Sequence, residues 1–340
     1  MIKFGIAGFG KMGQIRADEI KKNSDCELLA IFENESAIEG SADEGVKLCS
    51  SYDELLSCNL DAIFVCAFND VAAEYSIKAL KAGLHVFCEK PPAKNCIELS
   101  AVIAAEKSSG KILKYGFNHR FHYSVMEAKK LIDSNELGKL IWIRGVYGKA
   151  GSIDYRQNWR NFRQYSGGGI LMDQGIHMLD LFHYLSGKDF DVVGSQLSNS
   201  FWEVDVEDNA LVTLQSEQVM ATLHSSATQW RHKFLMEMCF EFGYLNLDGI
   251  LSNSRSYAPE TLVTGKREFE DITFAMGKPI EQTVWFENDD SWKLELEDFV
   301  NALKNNAAIK HGNSKEAYKV LDLIEKIYAK SQFYQDSSDA

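Results

Sequence analysis

Four polar side chains recur along an otherwise apolar stretch near the middle of the chain. They are spaced i, i+4, i+7 and i+11, and they are Asp173, His177, Asp180 and Tyr184. On a helix this spacing puts them on one face, which is costly to bury unless it borders a cavity or is fully paired. His177 is a candidate general base, and Asp173 could orient it or share its proton. Glycines at 167–169 would let another molecule approach the backbone. The alternative is a purely structural histidine with a helix-capping aspartate.

A lysine in a proline-rich turn is the second candidate. Glu89-Lys90-Pro91-Pro92 follows a short strand-like run at 85–88. In an open parallel sheet, ligands bind outside the carboxyl ends of the strands. Lys90 is therefore placed where a bound cofactor and its substrate could meet. The alternative is a surface lysine in a rigid turn.

A glycine loop near the start of the chain has the spacing G-x-G-x-x-G, from Gly8 to Gly13. It lies between a strand-like and a helix-like run, the context in which such a loop binds a pyrophosphate at the amino end of the helix. Glu33 follows Gly13 by 20 residues at the end of the next strand, where a carboxylate can accept hydrogen bonds from a ribose. Its neighbours at 34–36 include no Arg or Lys for a 2′-phosphate, so we predict NAD in preference to NADP.

The elements that carry these residues alternate regularly over about the first 115 residues. Strand-like runs at 3–7, 27–32, 61–67, 85–88 and 112–115 are separated by helix-like segments at 12–22, 71–82 and 97–107. This alternation predicts a doubly wound parallel sheet.

Beyond about residue 140, strand-like runs are joined by short turns, as in 209–215 with 219–225 and 236–242 with 244–248. This pattern predicts a mostly antiparallel sheet. The predicted fold class is therefore α/β, with a Rossmann domain at 1–120 and an α+β substrate-binding and oligomerisation domain at 121–335. The terminal helix, 313–332, is a candidate to pack back on the first domain.

Composition excludes several classes of protein. The 340 residues include 36 Lys and Arg against 49 Asp and Glu, a net charge of −13, which disfavours nucleic acid and anionic membranes as partners. The longest apolar run, 62–68, is too short to span a bilayer, and no secretory signal is apparent. Seven cysteines without a C-x-x-C pair predict reduced thiols in the cytoplasm. The histidines show no metal-site spacing, so no metal is predicted.

The motifs also occur together in the order and spacing of a known family. The Gly8–Gly13 loop, Glu89-Lys90-Pro91, Gly-Phe-Asn-His-Arg-Phe at 116–121 and the glycines with Asp173, His177 and Asp180 resemble the glucose–fructose oxidoreductase, inositol 2-dehydrogenase and rhizopine-catabolism (Gfo/Idh/MocA) family. The resemblance covers nearly the whole chain. It departs at 67–72, where the family's Thr-Pro-Asn-x-x-His reads Ala-Phe-Asn-Asp-Val-Ala, so cofactor contacts at this turn do not carry over in full.

The resemblance implies an N-terminal Rossmann domain and a C-terminal domain with a large open sheet. It implies an NAD(P)-dependent dehydrogenase that acts on a CH–OH group or ketone of a sugar, cyclitol or sugar derivative. It also implies a homodimer or homotetramer assembled through the exposed sheet face. An NAD-dependent glycosidase and a non-catalytic NAD-binding regulator on the same fold are the alternatives.

Site residues are predicted from these motifs and from the resemblance. The catalytic residues are Lys90, Asp173 and His177. The cofactor-binding residues are Gly8, Phe9, Gly10, Lys11, Met12, Glu33, Ala67, Phe68, Asn69, Glu89, Lys90, Pro91 and Asn118. The substrate-binding residues are Lys90, Arg120, Trp159, Arg160, Asp173 and His177.

Arginines and aromatic residues cluster at 154–165 and at 230–233. Aromatic faces suit sugar rings, and arginines suit carboxylates or phosphates. These clusters favour an anionic sugar, such as a sugar acid, a sugar phosphate or a nucleotide-linked sugar. The alternative is that the arginines pair with surface carboxylates or with the cofactor.

Overall fold

The structure is a computed structural model that describes residues 1–34, 45–268 and 276–334. The contacts divide the chain into two compact units. The first unit comprises residues 1–118, 164–167 and 292–321, and the second comprises 119–163, 168–291 and the residues from 322 onward. Each unit therefore contains segments that are distant in sequence.

The described strands and helices are numbered in chain order. The strands are β1 Ile2–Ala7, β2 Cys26–Phe32, β3 Lys47–Cys49, β4 Ala62–Val65, β5 His85–Glu89, β6 Leu113–Gly116, β7 Leu140–Gly148, β8 Asp191–Ser198, β9 Asn209–Ser216, β10 Val219–Ser226, β11 Lys233–Phe240, β12 Gly243–Asp248, β13 Glu260–Lys266 and β14 Glu281–Phe286. The helices are α1 Lys11–Lys22, α2 Tyr52–Leu56, α3 Asn69–Lys81, α4 Cys96–Ser109, α5 Tyr123–Asp133, α6 Arg163–Ser166, α7 Ile176–Ser186, α8 Ser291–Asn305 and α9 Ser314–Lys330.

The first unit is built on a parallel sheet of six strands in the order β3-β2-β1-β4-β5-β6. Every residue of β4 is buried, as is typical of a parallel strand covered on both faces. The strand order reverses between β1 and β4, which is where open α/β sheets bind dinucleotides. The predicted Rossmann-type sheet is confirmed.

Aromatic side chains fill the core of this unit. The ring centroids of Phe4 and Phe64 are 5.4 Å apart, and those of Phe64 and Phe87 are 4.7 Å apart. Phe299, from α8, packs edge-on against Phe87 at 5.6 Å. A helix from late in the chain therefore completes the first core, and its burial adds hydrophobic stabilisation.

The second unit is built on an eight-stranded sheet in the order β14-β13-β12-β11-β7-β10-β9-β8. Neighbouring strands are antiparallel except for β7 and β10, which run parallel. The predicted hairpins are β9–β10 and β11–β12, so a mostly antiparallel sheet is confirmed.

One face of this second sheet is covered. Along β11, Phe234, Met236, Met238 and Phe240 are buried and alternate with partly exposed residues. Helix α7 lies against the covered face, because a Cβ on Gly145 of β7 would come within 2.9 Å of the Phe182 ring. In the part of the chain that the structure describes, no helix is both long and apolar enough to cross a lipid bilayer.

Candidate active site

The glycine loop joins β1 to α1 at the carboxyl end of the first unit's sheet. Gly8 has φ +91°, which favours glycine, and a Cβ there would lie 2.6 Å from the carbonyl carbon of Cys66. A Cβ on Gly13 would come within 2.1 Å of the Gly8 carbonyl oxygen, whereas one on Gly10 would meet nothing within 4 Å. The loop is packed on protein at Gly8 and Gly13 and open at Gly10, as close approach of a pyrophosphate requires.

The amino end of α1 and the Glu33 carboxylate flank this loop. The N-cap of α1 is Gly10, which provides no side-chain cap, so the first N–H groups of the helix, at Lys11 and Met12, can face an anion. Phe9 N donates to Glu33 Oε2 (2.5 Å), and Asn34 N donates to Oε1 (2.8 Å). These residues fit a dinucleotide. Residues 35 and 36, which contribute to the preference for NAD, lie outside the described residues.

The turn after β4 contains the predicted contacts Ala67, Phe68 and Asn69. It lies beside the glycine loop, since a Cβ on Gly8 would come within 2.7 Å of Ala67 N. Phe68 is 39% exposed, whereas Asn69 is buried at the start of α3. The Asn69 amide donates to the backbone oxygen of Ser166 (2.8 Å), so this side chain also binds protein. Cofactor contacts at this turn stay a prediction.

Lys90 directly follows β5, and the Lys90-Pro91 peptide bond is cis. The preceding residue, Glu89, is buried and accepts a hydrogen bond from Arg16 Nε (2.7 Å). Arg16 also contacts Glu295 at 2.5 Å. Burial alone would lower the pKa of Arg16, but the two carboxylates raise it above its usual value. This ion triad anchors the end of β5, so Glu89 supports the Lys90 turn.

The two residues proposed for proton transfer lie at the amino end of α7. Asp173 belongs to a π-helical turn, Leu171–Gly175, and His177 is in the first turn of α7. His177 is 5% exposed. Single π turns within helices occur frequently at functional sites. The apolar helix predicted after the glycines is confirmed.

A fully buried carboxylate, Glu207, supports this end of the helix. Gly169 N and Leu171 N donate to its oxygens at 2.9 and 3.0 Å. The hydroxyls of Tyr328 and Tyr334 donate to the same carboxylate at 3.0 and 2.5 Å. Burial raises the pKa of Glu207 above its usual value, although these hydrogen bonds favour its charged form. Glu207 thus ties the start of the helix to the carboxyl-terminal segment.

Protein atoms fill the space left by the three glycines. A Cβ on Gly168 would lie 2.0 Å from the Tyr328 hydroxyl, and one on Gly169 would lie 2.1 Å from the Glu207 backbone oxygen. Gly167 has φ +80° and packs against Lys94. The expectation that these glycines admit another molecule to the backbone is therefore wrong for Gly168 and Gly169. They are required because the protein's own side chains and backbone pack there.

His177 belongs to a cluster of rings in the second unit. The imidazoles of His119 and His177 are stacked, with centroids 3.8 Å apart and planes 12° apart. His119 Nε2 and the Tyr147 hydroxyl lie at hydrogen-bonding distance, 2.9 Å. Burial raises the pKa of Tyr147 well above its usual value, so its phenol is neutral at pH 7. The stack orients the His177 ring.

Asp173 forms an ion pair with Lys149, a lysine other than the predicted catalytic Lys90. Lys149 Nζ donates to Asp173 Oδ2 at 2.7 Å, and Arg160 Nε lies 3.5 Å from Oδ1. The Arg160 guanidinium also packs over the Trp159 ring at 4.4 Å. The predicted substrate residues Trp159 and Arg160 are thus adjacent to the predicted catalytic Asp173.

Three further arginines of the predicted substrate region, Arg120, Arg156 and Arg163, have protein partners. Arg120 is 3% exposed and forms a bidentate pair with Asp180, with distances of 2.6 and 2.8 Å. On the polar face of the helix, Asp180 is therefore neutralised by Arg120. Arg156 lies 3.4 Å from Glu203, and Arg163 packs over a tyrosine ring. A substrate role for Arg120 stays a prediction, because the guanidinium is buried.

Sequence reasoning missed several residues that hold these groups in place. Arg16 could have been suspected as a charge on the buried face of α1. His119 lay inside a motif that was noted for its resemblance alone. Tyr147, Lys149 and Glu207 had no local signal, because their partners are distant in the sequence.

The predicted residues are divided between the units. The first unit carries the glycine loop with Glu33, residues 67–69, Glu89-Lys90-Pro91 and the buried Asn118. The second unit carries Arg120, Trp159, Arg160, Asp173 and His177.

Two family models match successive parts of the chain. Residues 2–117 match "Oxidoreductase family, NAD-binding Rossmann fold", and residues 125–245 match "GFO/IDH/MocA C-terminal domain". The chain belongs to the Gfo/Idh/MocA family. This confirms the family resemblance found in the sequence motifs, and the first model supports the predicted NAD cofactor.

Curated relatives match part of the chain. An uncharacterized oxidoreductase, YrbE, of Bacillus subtilis is 32% identical over 65% of this chain and 66% of its own length. D-glucoside 3-dehydrogenase of Escherichia coli is 28% identical over 61% of this chain and 59% of its own length. Myo-inositol 2-dehydrogenase of Thermotoga maritima is 28% identical over 56% of this chain and 57% of its own length. The match spans just over half to about two thirds of the length of these relatives.

Solved structures share the fold over nearly the whole chain. Levoglucosan dehydrogenase in complex with NADH and levoglucosan has a TM-score of 0.84 at 20% identity, covering 97% of this chain and 96% of that one. KijD10, a 3-ketoreductase from Actinomadura kijaniata in complex with NADP and TDP-benzene, has a TM-score of 0.82 at 18% identity, with 97% and 98% covered. At these identities the likeness shows that this chain shares the fold of these proteins.

Proposed function

We propose that this protein is an NAD-dependent oxidoreductase that transfers a hydride between nicotinamide and a secondary alcohol or ketone of a sugar, cyclitol or sugar derivative. The observation that carries the proposal is the buried His177 imidazole beside Asp173's helical turn, in a family whose first domain binds NAD. The substrate class is supported by relatives named D-glucoside 3-dehydrogenase and myo-inositol 2-dehydrogenase.

The first unit's residues would hold the cofactor. The open backbone at Gly10 and the uncapped end of α1 suit the pyrophosphate, and Glu33 suits a ribose diol. A carboxylate repels a 2′-phosphate, so NAD is the proposed cofactor, although a structural neighbour binds NADP. When bound, the nicotinamide supplies the chemistry of accepting or returning a hydride. Comparing kcat/KM with NAD and NADP tests this preference.

His177 is proposed as the general base. In the oxidation direction a ring nitrogen of His177 takes the hydroxyl proton of the substrate, and in reduction it returns that proton. Stacking on His119 fixes the plane of the ring. Asp173, held by Lys149 at 2.7 Å, lies one helical turn before the base and is proposed to position it. Lys90 is proposed to donate a hydrogen bond to the same substrate oxygen and to stabilise developing alkoxide charge.

A substrate screen with matched histidine variants tests this function. Sugars, inositols and nucleotide sugars are supplied with NAD, and absorbance of NADH is recorded. His177→Asn should lower kcat by about 10²–10⁴-fold and leave NAD affinity unchanged, because a positioned base contributes that much. The control is His183→Asn in the same helix, where the His183 Nδ1 contact to the Lys188 oxygen (2.8 Å) is structural.

The outcomes of this screen are distinct. Full turnover by His177→Asn would contradict the assignment of the base. Net accumulation of NADH separates a dehydrogenase from an NAD-dependent glycosidase, because the glycosidase cycle returns NAD to its oxidised form. Absence of turnover with every compound, despite tight NAD binding, would favour the non-catalytic regulator.

We also propose that the protein works in the cytoplasm. All seven cysteines are free thiols, and the sulfurs of Cys49 and Cys58 lie 3.9 Å apart without forming a disulfide. Reduced cysteines suit a reducing compartment. Fractionation of cells that express the protein at native level tests this location.

A homo-oligomer is proposed through the uncovered face of the eight-stranded sheet. Leu211 of β9 and Met220 of β10 lie on this face and are 50% and 59% exposed. The apolar surface on this face is where we propose that the subunits meet, because contiguous exposed apolar patches mark interaction sites. Replacing both with Glu should reduce the mass measured by light scattering to that of one chain. An unchanged mass would place the contact elsewhere.

A further inference from the structure

Two cysteine thiols lie next to each other in the first unit. Cys49 is the last residue of β3, and Cys58 follows the short helix α2. Their sulfurs are 3.9 Å apart, within hydrogen-bonding distance for sulfur. A disulfide requires about 2.05 Å between the sulfurs, so an approach of about 2 Å would join the pair.

The position of Cys58 favours this approach. Cys58 is partly exposed and lies beyond α2, in the loop that leads to β4. Its Sγ donates a weak hydrogen bond to the backbone oxygen of Glu54 at 3.5 Å. The segment between the two cysteines contains one short helix and no strand, so the pair would close a small loop. Bringing the sulfurs together therefore requires movement of this loop and not of the sheet.

The two thiols differ in their surroundings and therefore in their roles. Cys49 is buried, and this burial, together with the hydrogen bond and charge of Cys58, raises the pKa of Cys49 to about 12. Its thiol is therefore protonated at pH 7 and is a poor first nucleophile. Cys58 is the more exposed of the two, so a reagent in solution reaches it first. Once the Cys58 sulfur is capped, its contributions to the raised pKa are removed, while Lys47 continues to lower the pKa of Cys49.

We propose that Cys49 and Cys58 form a reversible disulfide by exchange with a low-molecular-weight disulfide of the glutathione class. The Cys58 thiolate attacks one sulfur of the oxidised reagent, which forms a mixed disulfide and releases one thiol. Cys49 then attacks the Cys58 sulfur, forms the intramolecular bond and releases the second thiol. Two electrons pass from the protein to the reagent, and the two protein thiol protons end on the released thiols.

The pair lies beside the strand end that precedes Glu33. Cys49 is aligned with Phe32 in the parallel ladder of β3 and β2, and Phe32 directly precedes Glu33. Tyr52, between the two cysteines, packs against the Phe32 ring at 6.2 Å and stacks on Tyr75 at 4.0 Å. Because movement of this loop acts on the end of β2, the oxidised and reduced forms should bind NAD with different affinity. This link rests on the proposed cofactor, whereas the disulfide does not.

Alkylation after equilibration in glutathione buffers tests the disulfide. The full chain is held at rising ratios of oxidised to reduced glutathione, the free thiols are alkylated in denaturant, and mass spectrometry of the peptides locates the blocked sulfurs. Wild type should lose alkylation at Cys49 and Cys58 together and regain it with dithiothreitol. Cys58→Ser should restore alkylation of Cys49 at every ratio. The matched control is Cys239→Ser, which should behave like wild type, because the Cys239 thiol contacts the Phe240 backbone oxygen and not another sulfur.

Two results would overturn the disulfide. The first is full alkylation of Cys49 at every ratio at which circular dichroism shows a folded protein. The second is equal protection of Cys49 in wild type and in Cys58→Ser, which would mean that Cys49 reacts with glutathione or with another cysteine.

Titration of NAD into the reduced and the oxidised protein tests the link to the cofactor site. The Kd for NAD should differ about fivefold or more between the two forms, the low end of coupling between sites, and the difference should be absent in Cys58→Ser. Equal Kd values would overturn the link. Failure of both forms to bind NAD would instead count against the proposed function, while the disulfide would still be decided by alkylation.

Discussion

Removing one hydroxyl group at Tyr334 should destabilise the second unit measurably. The Tyr334 hydroxyl donates to Glu207 Oε2 at 2.5 Å, and Tyr334→Phe deletes this donor without changing the ring. Glu207 is 0% exposed, so water cannot replace the lost hydrogen bond without a rearrangement. Hydrogen bonds to charged groups contribute about 1.5–3 kcal/mol.

The contacts of Glu207 and the exposure of Tyr334 put the expected loss of stability at the low end of this range. Glu207 retains three other hydrogen bonds, from Gly169, Leu171 and Tyr328, so both of its oxygens still accept hydrogen bonds. Tyr334 is itself only partly buried. The free energy of unfolding should therefore fall by about 1.5 kcal/mol, the low end of the range. At about 2–4 °C per kcal/mol, this corresponds to a Tm lower by about 3–6 °C.

The assay is urea unfolding at pH 7, followed by circular dichroism and by tyrosine and tryptophan fluorescence. Tyr318→Phe is the matched control, because no hydrogen bond links the Tyr318 hydroxyl to another described residue. A lower midpoint at unchanged slope is expected for Tyr334→Phe alone. If both variants unfold at the wild-type midpoint, the hydrogen bonds to Glu207 do not support the helix that bears His177, and this reasoning fails.

Two further predictions concern charged pairs. Lys149→Met should lower kcat about 10-fold while NAD affinity holds, because Asp173 loses the ammonium at 2.7 Å and keeps only the more distant Arg160 at 3.5 Å. Steady-state kinetics measures this effect, and an unchanged kcat would contradict it. The hydrogen bond from Lys47, with those from Ser50, lowers the pKa of Glu54 from 4.5 to about 2. The stability that Glu54 provides is therefore present above about pH 4.5 and is lost as the pH falls toward 2, so wild type and Glu54→Gln should converge in acid-dependent thermal melts.

Most of the fold was predictable because its signals are local. The strand at 62–65 is wholly buried, so its apolar run identified it, and the glycine loop has a fixed spacing that the turn geometry requires. The terminal helix predicted at 313–332 spans Ser314–Lys330. Its apolar residues recur at helical spacing, which made it visible without any knowledge of its partners.

The site was predictable only in part. His177 and Asp173 were found from their spacing along one helix. The acceptor that supports this helix, Glu207, is 38 residues from Gly169 in the sequence and 127 from Tyr334. Lys114 was assigned to a strand, but its pairing with Asp298, 184 residues away, had no signal. Hydrogen bonds and ion pairs between residues that are distant in the sequence produce no periodic pattern in a single sequence.

The packing of Phe299 against the ring of Phe87 has a consequence for synthesis of the chain. When a ribosome has made only the first 120 residues, all six strands of the parallel sheet exist, but the helix that covers part of their core does not. Arg16 also lacks Glu295, one of its two carboxylate partners, at that stage. We therefore expect the nascent sheet to remain incompletely folded until this helix has been synthesised. A truncated amino-terminal fragment should therefore be prone to aggregation and should not fold as an autonomous nucleotide-binding domain.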